Sequence, residues 1–488
     1  MEEVVVLAPV PVLDVPVPVP GAADRTRKFV NKITLRYSSS GLFGWLRQKR
    51  TPVKPGIYSF DRQDHNEKCR IHLRIDPDGF GTLMVNAARI YHLNETACFM
   101  AWLFLNGKTE QEAVSRISQV YQIPSPDAKA DYLAFYPSIE ALIHPDSTCP
   151  VCDLDLEINT PFSARPTAPY RMDLALTYRC NNNCAHCYNA RPRNFPEIST
   201  GQWKKVIDRC WQIGIPHIIF TGGEPTLRDD LAELISYAQS LGQITGINTN
   251  GRRLSDVNYL ESLIAAGLDH VQITLESSDR DIHDKLVCHS GAWDETIAGI
   301  KNAVASKLYM MTNTTLLQEN SDHLEETLLF LHNVGVPTVG LNALIYSGRG
   351  ETVGTGLPET RLPALLDTAR RLTSEFGQKL IWYTPTQYCH FDPMSLQLGI
   401  KGCTAALYNM CIEPDGSVIP CQSFYQPLGN ILKDKWSSIW EHPLSVSLRE
   451  RKNVPSGCTS CAMLQECGGG CPLHQLTSQP IPVLKELA

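Results

Sequence analysis

The stretch Cys180-Asn-Asn-Asn-Cys184-Ala-His-Cys187 places three cysteines within eight residues, in the pattern C-x₃-C-x₂-C. The apolar run Leu174-Ala-Leu-Thr177 precedes it and predicts a buried strand, so the cysteines lie on a loop after that strand. Three thiolates at this spacing can hold three corners of a cubane iron–sulfur cluster and leave the fourth iron without a protein ligand. A structural zinc site is the alternative, but zinc prefers four ligands and only His186 lies nearby.

The residues around this loop alternate strand-like and helix-like patterns from 170 to 385. Strand-like runs begin near six positions, Met172, His217, Gln243, His270, Leu308 and Val336. Between them, apolar residues recur at helical spacing, as at Trp203, Val206, Ile207, Cys210 and Ile213. Six β/α units predict a parallel sheet covered by helices, with the chemistry on loops at the carboxyl ends of the strands.

Size and composition predict a soluble globular chain of several domains. The 488 residues suffice for about three domains, and the net charge of −7 argues against broad nucleic-acid binding. Most of the 17 cysteines sit in short C-x₂-C and C-x₃-C units, which is the metal-site pattern of a reducing compartment. The acidic start and the lack of an 18-residue apolar run predict neither a signal peptide nor a membrane span, so we expect a cytoplasmic protein.

Changes in composition divide the chain into five segments. Residues 1–55 read as a flexible tail, because Pro and Val largely alternate between residues 9 and 20. Residues 56–145 read as a small α+β module, 146–168 as a linker, 169–385 as the α/β unit, and 386–488 as a domain organised by metal. The linker holds an isolated pair, Cys149 and Cys152, which we interpret as ordinary free thiols.

The N-terminal module is predicted to have two strands and three helices, like a winged helix. Ile71–Ile75 and Gly81–Val85 alternate as strands, and Thr109 with Glu112 forms a capping box that opens a helix. The third helical stretch, Asp131–Ile143, has no Arg or Lys, which argues against the alternative of a DNA-binding winged helix. Pro137 is expected to kink or split that helix.

The C-terminal cysteines follow a long-range pattern. Cys403 is followed by twelve residues, Gly416, four residues and Cys421. A second group then reads Cys458-x₂-Cys461-x₅-Cys467-x₃-Cys471. A zinc-ribbon fold is the alternative interpretation, since C-x₂-C pairs also suit zinc.

These features together resemble the radical S-adenosylmethionine superfamily. The cysteine triplet, Gly222-Gly-Glu-Pro225 after the second strand and the six β/α units match its partial (β/α)6 TIM-like barrel, and the C-terminal spacing matches its SPASM extension. The N-terminal module resembles the PqqD-type peptide-recognition element. The resemblance covers roughly residues 60–480.

The resemblance implies a function for each of these motifs. Cys180, Cys184 and Cys187 would bind a [4Fe–4S] cluster whose open iron takes S-adenosylmethionine, and reductive cleavage would yield a 5′-deoxyadenosyl radical. Gly222, Gly223 and Glu224 would meet the amine of the methionine moiety, although an ordinary strand–helix turn is the alternative. The strand-end residues Asn248, Thr249, Thr274 and Glu276 would meet the ribose and the carboxylate, whereas Asn250-Gly251 suits a simple turn as well. Relatives often carry an arginine where this chain has Val287.

By the same resemblance, the C-terminal domain would hold one or two auxiliary [4Fe–4S] clusters. Cys403, Cys421 and Cys471 would bind the first, with Cys411 as the candidate fourth ligand, and Cys458, Cys461 and Cys467 would begin the second. No cysteine follows Cys471, so the second cluster is completed by another side chain such as His474 or Asp415, keeps an open iron, or does not form. We interpret Cys69, Cys98, Cys210 and Cys288 as small buried residues and leave Cys389 unassigned.

The predicted function is therefore a radical S-adenosylmethionine peptide maturase. It would abstract hydrogen from a ribosomally synthesised precursor peptide, with an oxidative cross-link or similar product, and take electrons from flavodoxin or ferredoxin. A maturase of a folded protein, of the sulfatase-activating type, is one alternative. A non-catalytic peptide carrier is another, although the intact cysteine triplet argues against it. No nucleic acid or membrane is expected as a partner.

Overall fold

The computed structural model describes residues 52–64, 67–87, 89–143, 166–452 and 454–474. Nearly all of the predicted tail therefore lies outside the described residues, as do most of the predicted linker and its pair Cys149 and Cys152.

The N-terminal module contains four strands rather than the predicted two. The strands β1 Gly56–Asp64, β2 Glu67–Ile75, β3 Gly81–Val85 and β4 Arg89–Leu93 form an antiparallel sheet in sequential order. Sequence reasoning missed β1 and β4, because their exposed and half-buried positions interrupt the apolar alternation that marks a strand. The flanking strands pair with β2 and β3 along their whole lengths.

Three helices follow, as predicted: α1 Glu95–Leu105, α2 Glu110–Tyr121 and α3 Ser125–Ile143. The capping box of Thr109 and Glu112 is present at the start of α2. The helix α3 continues through Pro137, so the expectation of a split was wrong. Buried residues on both sides of the proline, Tyr132 and Ile139, pack both halves into one core and offset the lost backbone hydrogen bond.

The α/β unit is a parallel sheet with helices outside, which confirms the predicted fold class. Its strands are β5 Arg171–Thr177, β6 His217–Gly222, β7 Ile244–Thr249, β8 His270–Thr274, β9 Tyr309–Leu316, β10 Thr338–Ala343 and β11 Lys379–Trp382. They are parallel neighbours in chain order. The helices are α4 Thr200–Ile213, α5 Leu231–Ser240, α6 Val257–Ala265, α7 Arg280–Val287, α8 Ala292–Val304, α9 Leu324–Val334 and α10 Leu362–Glu375. The short seventh strand, β11, was not predicted.

The C-terminal segment extends this sheet at its other edge. β12 Asn409–Ile412 pairs parallel with β5, and β13 Ser417–Ile419 and β14 Gly429–Asn430 continue the sheet in antiparallel fashion. Three short helices complete the segment, α11 Trp436–Trp440, α12 Pro443–Arg449 and α13 Leu464–Cys467. Because β5 leads into the cysteine loop, this pairing places the cysteine-rich segment beside that loop.

The N-terminal module is attached to the barrel by buried polar side chains of β2. Arg70 Nη1 donates to the Gln243 carbonyl oxygen at 2.8 Å, and His72 Nε2 donates to the Gly242 carbonyl oxygen at 2.7 Å. Arg74 Nη1 donates to the Ala168 carbonyl oxygen at 3.1 Å. These acceptors precede strands β7 and β5, so the module lies at the amino ends of the barrel strands, opposite the cysteine loop.

His72 makes this attachment sensitive to acid. Burial lowers the pKa of His72 to about 4, although the Gly242 hydrogen bond acts in the opposite direction. Because the unfolded chain binds this proton near pH 6.5 and the folded chain does not, stability falls as pH drops from 6.5 towards 4, by up to about 1.4 kcal/mol per pH unit. We expect His72→Gln, which can still donate to Gly242, to lose less thermal stability between pH 7 and pH 5 than the wild type. Equal losses in both proteins would contradict this assignment.

Candidate active site

The three cysteines lie on a loop that is held by the backbone of its neighbours. The Asn183 N–H donates to the Val287 carbonyl oxygen and the Ala185 N–H to that of Leu286, both at 2.9 Å, which ties the loop to the end of α7. The Arg349 N–H donates to the Cys187 carbonyl oxygen at 2.9 Å. The loop is therefore pre-organised between the ends of two different β/α units.

Three arginines surround the same loop, which sequence reasoning missed. Arg252 Nη1 donates to the Asn181 carbonyl oxygen at 2.7 Å, Arg193 Nη1 to that of Cys180 at 2.6 Å, and Arg349 Nη1 to Asn183 Oδ1 at 2.6 Å. Arg252 and Arg349 lie far from the loop in sequence, so no local motif could reveal them. Arg193 follows Cys187 by only six residues, and sequence reasoning overlooked this local signal. Their positive charge favours an anionic group such as a thiolate-bound cluster.

The thiols suit ligation by a cation. Burial, and after it the nearby Glu224 carboxylate, raises the pKa of Cys180 to about 11, and burial also raises the pKa of Cys184. Both are therefore protonated at neutral pH until a metal displaces the proton. Within the described ranges, no three potential ligands converge on a single ion.

The Gly222-Gly223 turn passes so close to this loop that side chains cannot fit. Gly222 has a φ of +138°, and a Cβ there would collide with the Thr177 carbonyl oxygen. A Cβ on Gly223 would lie 2.7 Å from the Tyr178 carbonyl oxygen. The Gly223 N–H donates to the Thr177 carbonyl oxygen at 2.7 Å. Both glycines line the cavity described below, so their backbone is what this turn offers to a ligand.

Glu224 does not contribute its side chain to the cavity, which corrects the expected contact with an amine. The carboxylate is fully buried and accepts four hydrogen bonds from the protein. Its Oε1 accepts from the Thr226 N–H at 3.0 Å, from Thr226 Oγ1 at 2.7 Å and from Thr249 Oγ1 at 2.7 Å, and its Oε2 accepts from the Asn250 N–H at 2.8 Å. Glu224 therefore joins the end of β6 to the end of β7.

Because Glu224 joins the ends of two strands, the substitution Glu224→Gln tests whether it holds these strand ends in position. A glutamine offers one acceptor oxygen where the carboxylate offers two, so one or more of the four donors loses its partner, at about 1–3 kcal/mol each. We expect a lower thermal midpoint and weaker binding of S-adenosylmethionine. The matched control is Glu233→Gln, since Glu233 is an exposed glutamate on the next helix, α5. An unchanged midpoint in Glu224→Gln would show that the four hydrogen bonds contribute no stability.

The other predicted strand-end residues do line the cavity. These are Asn248, Thr249, Thr274 and Glu276. Glu276 Oε1 lies 2.9 Å from His186 Nε2, and Glu276 Oε2 accepts from the Thr315 N–H at 3.0 Å. Burial lowers the pKa of His186, whereas the charge and the hydrogen bond of Glu276 raise it. The net result is a pKa above the ordinary value for histidine. Sequence reasoning did not find this ion pair, which joins the cysteine loop to the end of β8.

Further polar residues on the neighbouring strands line the cavity too, and these were also missed: Gln272, Asn313, Thr315 and Asn342. Val287 lines it at the position where relatives often carry arginine, while the cavity's arginines include Arg193 and Arg349. Positive charge is therefore present, but it comes from other segments of the chain.

One cavity of about 680 Å³ brings the three parts of the chain together. The cysteine loop contributes Cys180, Cys184 and Cys187, and the C-terminal segment contributes Cys403, Cys421 and Cys471. The N-terminal module contributes Met84, Ala87 and Ile90. The lining includes the first residues of β5 and β6 as well as the ends of β7 and β8, so the cavity extends through the barrel interior.

Cys411 is not part of this group, which corrects its proposed place as fourth ligand of the first auxiliary cluster. It lies within β12, fully buried against Ala175, Tyr178 and Ile419, and it does not line the cavity. Burial raises the pKa of its thiol well above the usual value. The interpretation of Cys69, Cys98 and Cys210 as buried residues is confirmed, whereas Cys288 is exposed.

Three family models match the chain in succession. The model of the radical S-adenosylmethionine superfamily matches residues 174–331. The SPASM model, described as an iron–sulfur cluster-binding domain, matches residues 403–462. The model of coenzyme PQQ synthesis protein D, PqqD, matches residues 81–137. Together they define the class of this protein, which is a radical S-adenosylmethionine enzyme.

Solved structures share this fold. SuiB of Streptococcus suis bound to S-adenosylmethionine is 18% identical with a TM-score of 0.61, and the match covers 84% of this chain and 96% of SuiB. SuiB bound to its precursor peptide SuiA gives 16% identity and a TM-score of 0.62 over 87% and 98%. The structure of anSMEcpe with S-adenosylmethionine gives 16% and 0.51 over 62% and 89%.

More particularly, the chain is a radical S-adenosylmethionine enzyme that carries a C-terminal SPASM domain and an N-terminal PqqD-like domain in one polypeptide. Among the described residues, none of the helices has both the length and the apolar character needed to cross a membrane.

Proposed function

We propose that this enzyme modifies a ribosomally synthesised precursor peptide. The observation that carries the proposal is the single cavity shared by the cysteine loop, the SPASM segment and the PqqD-like module. A site built by all three parts suits a substrate that is long enough to contact each of them. The similar fold of SuiB, whose structure includes the precursor peptide SuiA, supports the same substrate class.

In this proposal, Cys180, Cys184 and Cys187 hold the [4Fe–4S] cluster, and the backbone of Gly222 and Gly223 lies against the bound S-adenosylmethionine. When bound, the cluster supplies the electron that cleaves the cofactor's sulfonium, and the resulting 5′-deoxyadenosyl radical takes a hydrogen atom from the peptide. The polar strand ends, including Asn248 and Thr274, orient the cofactor. The buried walls of the barrel exclude water from the reacting atoms.

The PqqD-like module would hold the leader of the peptide. β4 is an edge strand of the four-stranded sheet, and an extended peptide can add to such an edge through backbone hydrogen bonds. Ile90 of β4 lines the cavity, so a leader bound along β4 would enter the substrate site directly. In this proposal the leader would lie at the amino ends of the barrel strands, and the core of the peptide would lie in the barrel interior.

The SPASM segment would hold one or two auxiliary clusters, the first of them on Cys403, Cys421 and Cys471. These thiols face the same cavity as the cysteine loop. A cluster held by them would lie beside the substrate site and would accept one electron from the substrate radical, which with loss of a proton would give a net oxidation such as a cross-link. A reduced flavodoxin or ferredoxin would supply the initiating electron, and the thiol-rich sites suit the reducing cytoplasm.

The test is anaerobic incubation of the reconstituted enzyme with reductant, S-adenosylmethionine and short precursor peptides encoded beside its own reading frame. We expect 5′-deoxyadenosine together with a peptide that has lost two hydrogens, and a smaller yield from the same peptide without its leader. A fully reconstituted protein that releases no 5′-deoxyadenosine would refute the proposal. If the enzyme released 5′-deoxyadenosine and modified a folded protein but left the peptides unchanged, the sulfatase-activating alternative would be favoured.

A further inference from the structure

The second group of C-terminal cysteines supplies three ligands from neighbouring residues, whereas a cubane cluster with no open iron needs four. Cys458, Cys461 and Cys467 provide three thiolates, and none of residues 472–488 is a cysteine. Two other side chains were candidates for the fourth position, and the structure places both elsewhere. Asp415 Oδ1 accepts from the Ser417 N–H at 2.9 Å in the turn before β13. His474 stacks on Tyr346, with 4.5 Å between ring centroids, and its Nδ1 lies 3.5 Å from Glu359.

A segment that follows β11 packs against this group instead. The Tyr388 N–H donates to Cys467 Sγ at 3.4 Å, and Cys467 Sγ lies 3.6 Å from the Thr386 carbonyl oxygen. Gln387 Nε2 donates to the Gly469 carbonyl oxygen at 3.1 Å. Residues 386–388 therefore cross directly over Cys467, although about 80 residues separate them in sequence.

Cys389 is the next residue of this segment. The backbone N–H of Tyr388 contacts the sulfur of Cys467, and Cys389 is the residue that follows this contact in the chain. Cys389 and Cys461 are exposed, whereas Cys467 is buried. The segment that carries Cys389 therefore packs directly against one thiol of the C-terminal group.

We infer that Cys389 is the fourth ligand of the second auxiliary cluster and completes a four-thiolate site with Cys458, Cys461 and Cys467. This inference rests on the proposed function, and it gives the SPASM segment two separate sites. A cluster with four thiolates has no vacant iron, so it would carry electrons and would not bind substrate.

The first test is protection of thiols in the reconstituted, anaerobic enzyme. Iodoacetamide is added to the native protein, and peptide mapping by mass spectrometry locates the alkylated cysteines. We expect Cys389 and Cys461 to be protected until the iron is removed by chelation, whereas the exposed Cys288 reacts in both states. Alkylation of Cys389 in a protein whose Cys461 stays protected would overturn the inference and leave the second cluster with another ligand.

The second test compares Cys389→Ala with Cys288→Ala as the matched exposed control. Three cubane clusters correspond to about twelve irons per chain. We expect Cys389→Ala to lose between one and four irons, with a changed electron paramagnetic resonance signal, while Cys288→Ala keeps the wild-type content. Full iron content and an unchanged signal in Cys389→Ala would refute the assignment. Release of 5′-deoxyadenosine continues in either case, so failure of this inference is distinct from failure of the proposed function.

Discussion

Replacing Cys184 by alanine is expected to reduce release of 5′-deoxyadenosine to background. Cys184 is the central thiol of the loop, and its removal leaves two thiolates for a cluster that needs three. The neighbouring backbone bonds from Asn183 and Ala185 do not involve its side chain, so we expect the fold to survive. Chromatography measures the nucleoside, and iron analysis should show a loss of about four irons per chain.

The control for this experiment is Cys288→Ala, which removes an exposed thiol close in space to the same loop but outside the triplet. It should keep both iron content and activity. A Cys184→Ala protein that still cleaves S-adenosylmethionine at the wild-type rate would show that the loop does not hold the catalytic cluster.

Replacing Cys421 by alanine is expected to separate the two halves of the reaction. Cys421 lines the cavity with Cys403 and Cys471, but it is not part of the loop that would bind the cofactor. We therefore expect cleavage of S-adenosylmethionine to continue, with 5′-deoxyadenosine still formed, while the initial rate of formation of the oxidised peptide falls below about one-tenth of the wild-type rate, equivalent to about 1.4 kcal/mol in the barrier. Mass spectrometry of the peptide and chromatography of the nucleoside measure the two outcomes in one reaction.

Cys411→Ala is the matched comparison, because Cys411 is fully buried in β12 and does not line the cavity. It should keep the wild-type iron content and peptide yield. If Cys411→Ala instead lost iron to the same extent as Cys421→Ala, the original assignment of Cys411 as a ligand would be restored.

The sequence predicted the parts of the site that depend on local spacing. The cysteine triplet follows β5 as expected, and the two glycines at the end of β6 approach it closely because neither has a Cβ. The alternation of strands and helices also predicted the parallel sheet. Spacing and periodicity are properties of neighbouring residues, which is why they could be recognised without coordinates.

Other features depend on contacts between distant residues, and sequence reasoning missed them or assigned them wrongly. The direction of the Glu224 carboxylate is set by donors from two places, Thr226 in the turn after β6 and Thr249 at the end of β7. The pairing of β12 with β5 joins segments more than 200 residues apart. Cys389 was left unassigned because its partners lie about 70 residues downstream. Only the folded chain brings such residues together.

The most direct test of the central claim is electron paramagnetic resonance of the reduced, reconstituted enzyme with and without S-adenosylmethionine. If Cys180, Cys184 and Cys187 leave one iron without a protein ligand, adding the cofactor should shift the signal of one reduced [4Fe–4S] cluster, and Cys184→Ala should lack that cluster. Zinc bound in the loop, or an iron signal that the cofactor leaves unchanged, would contradict the account.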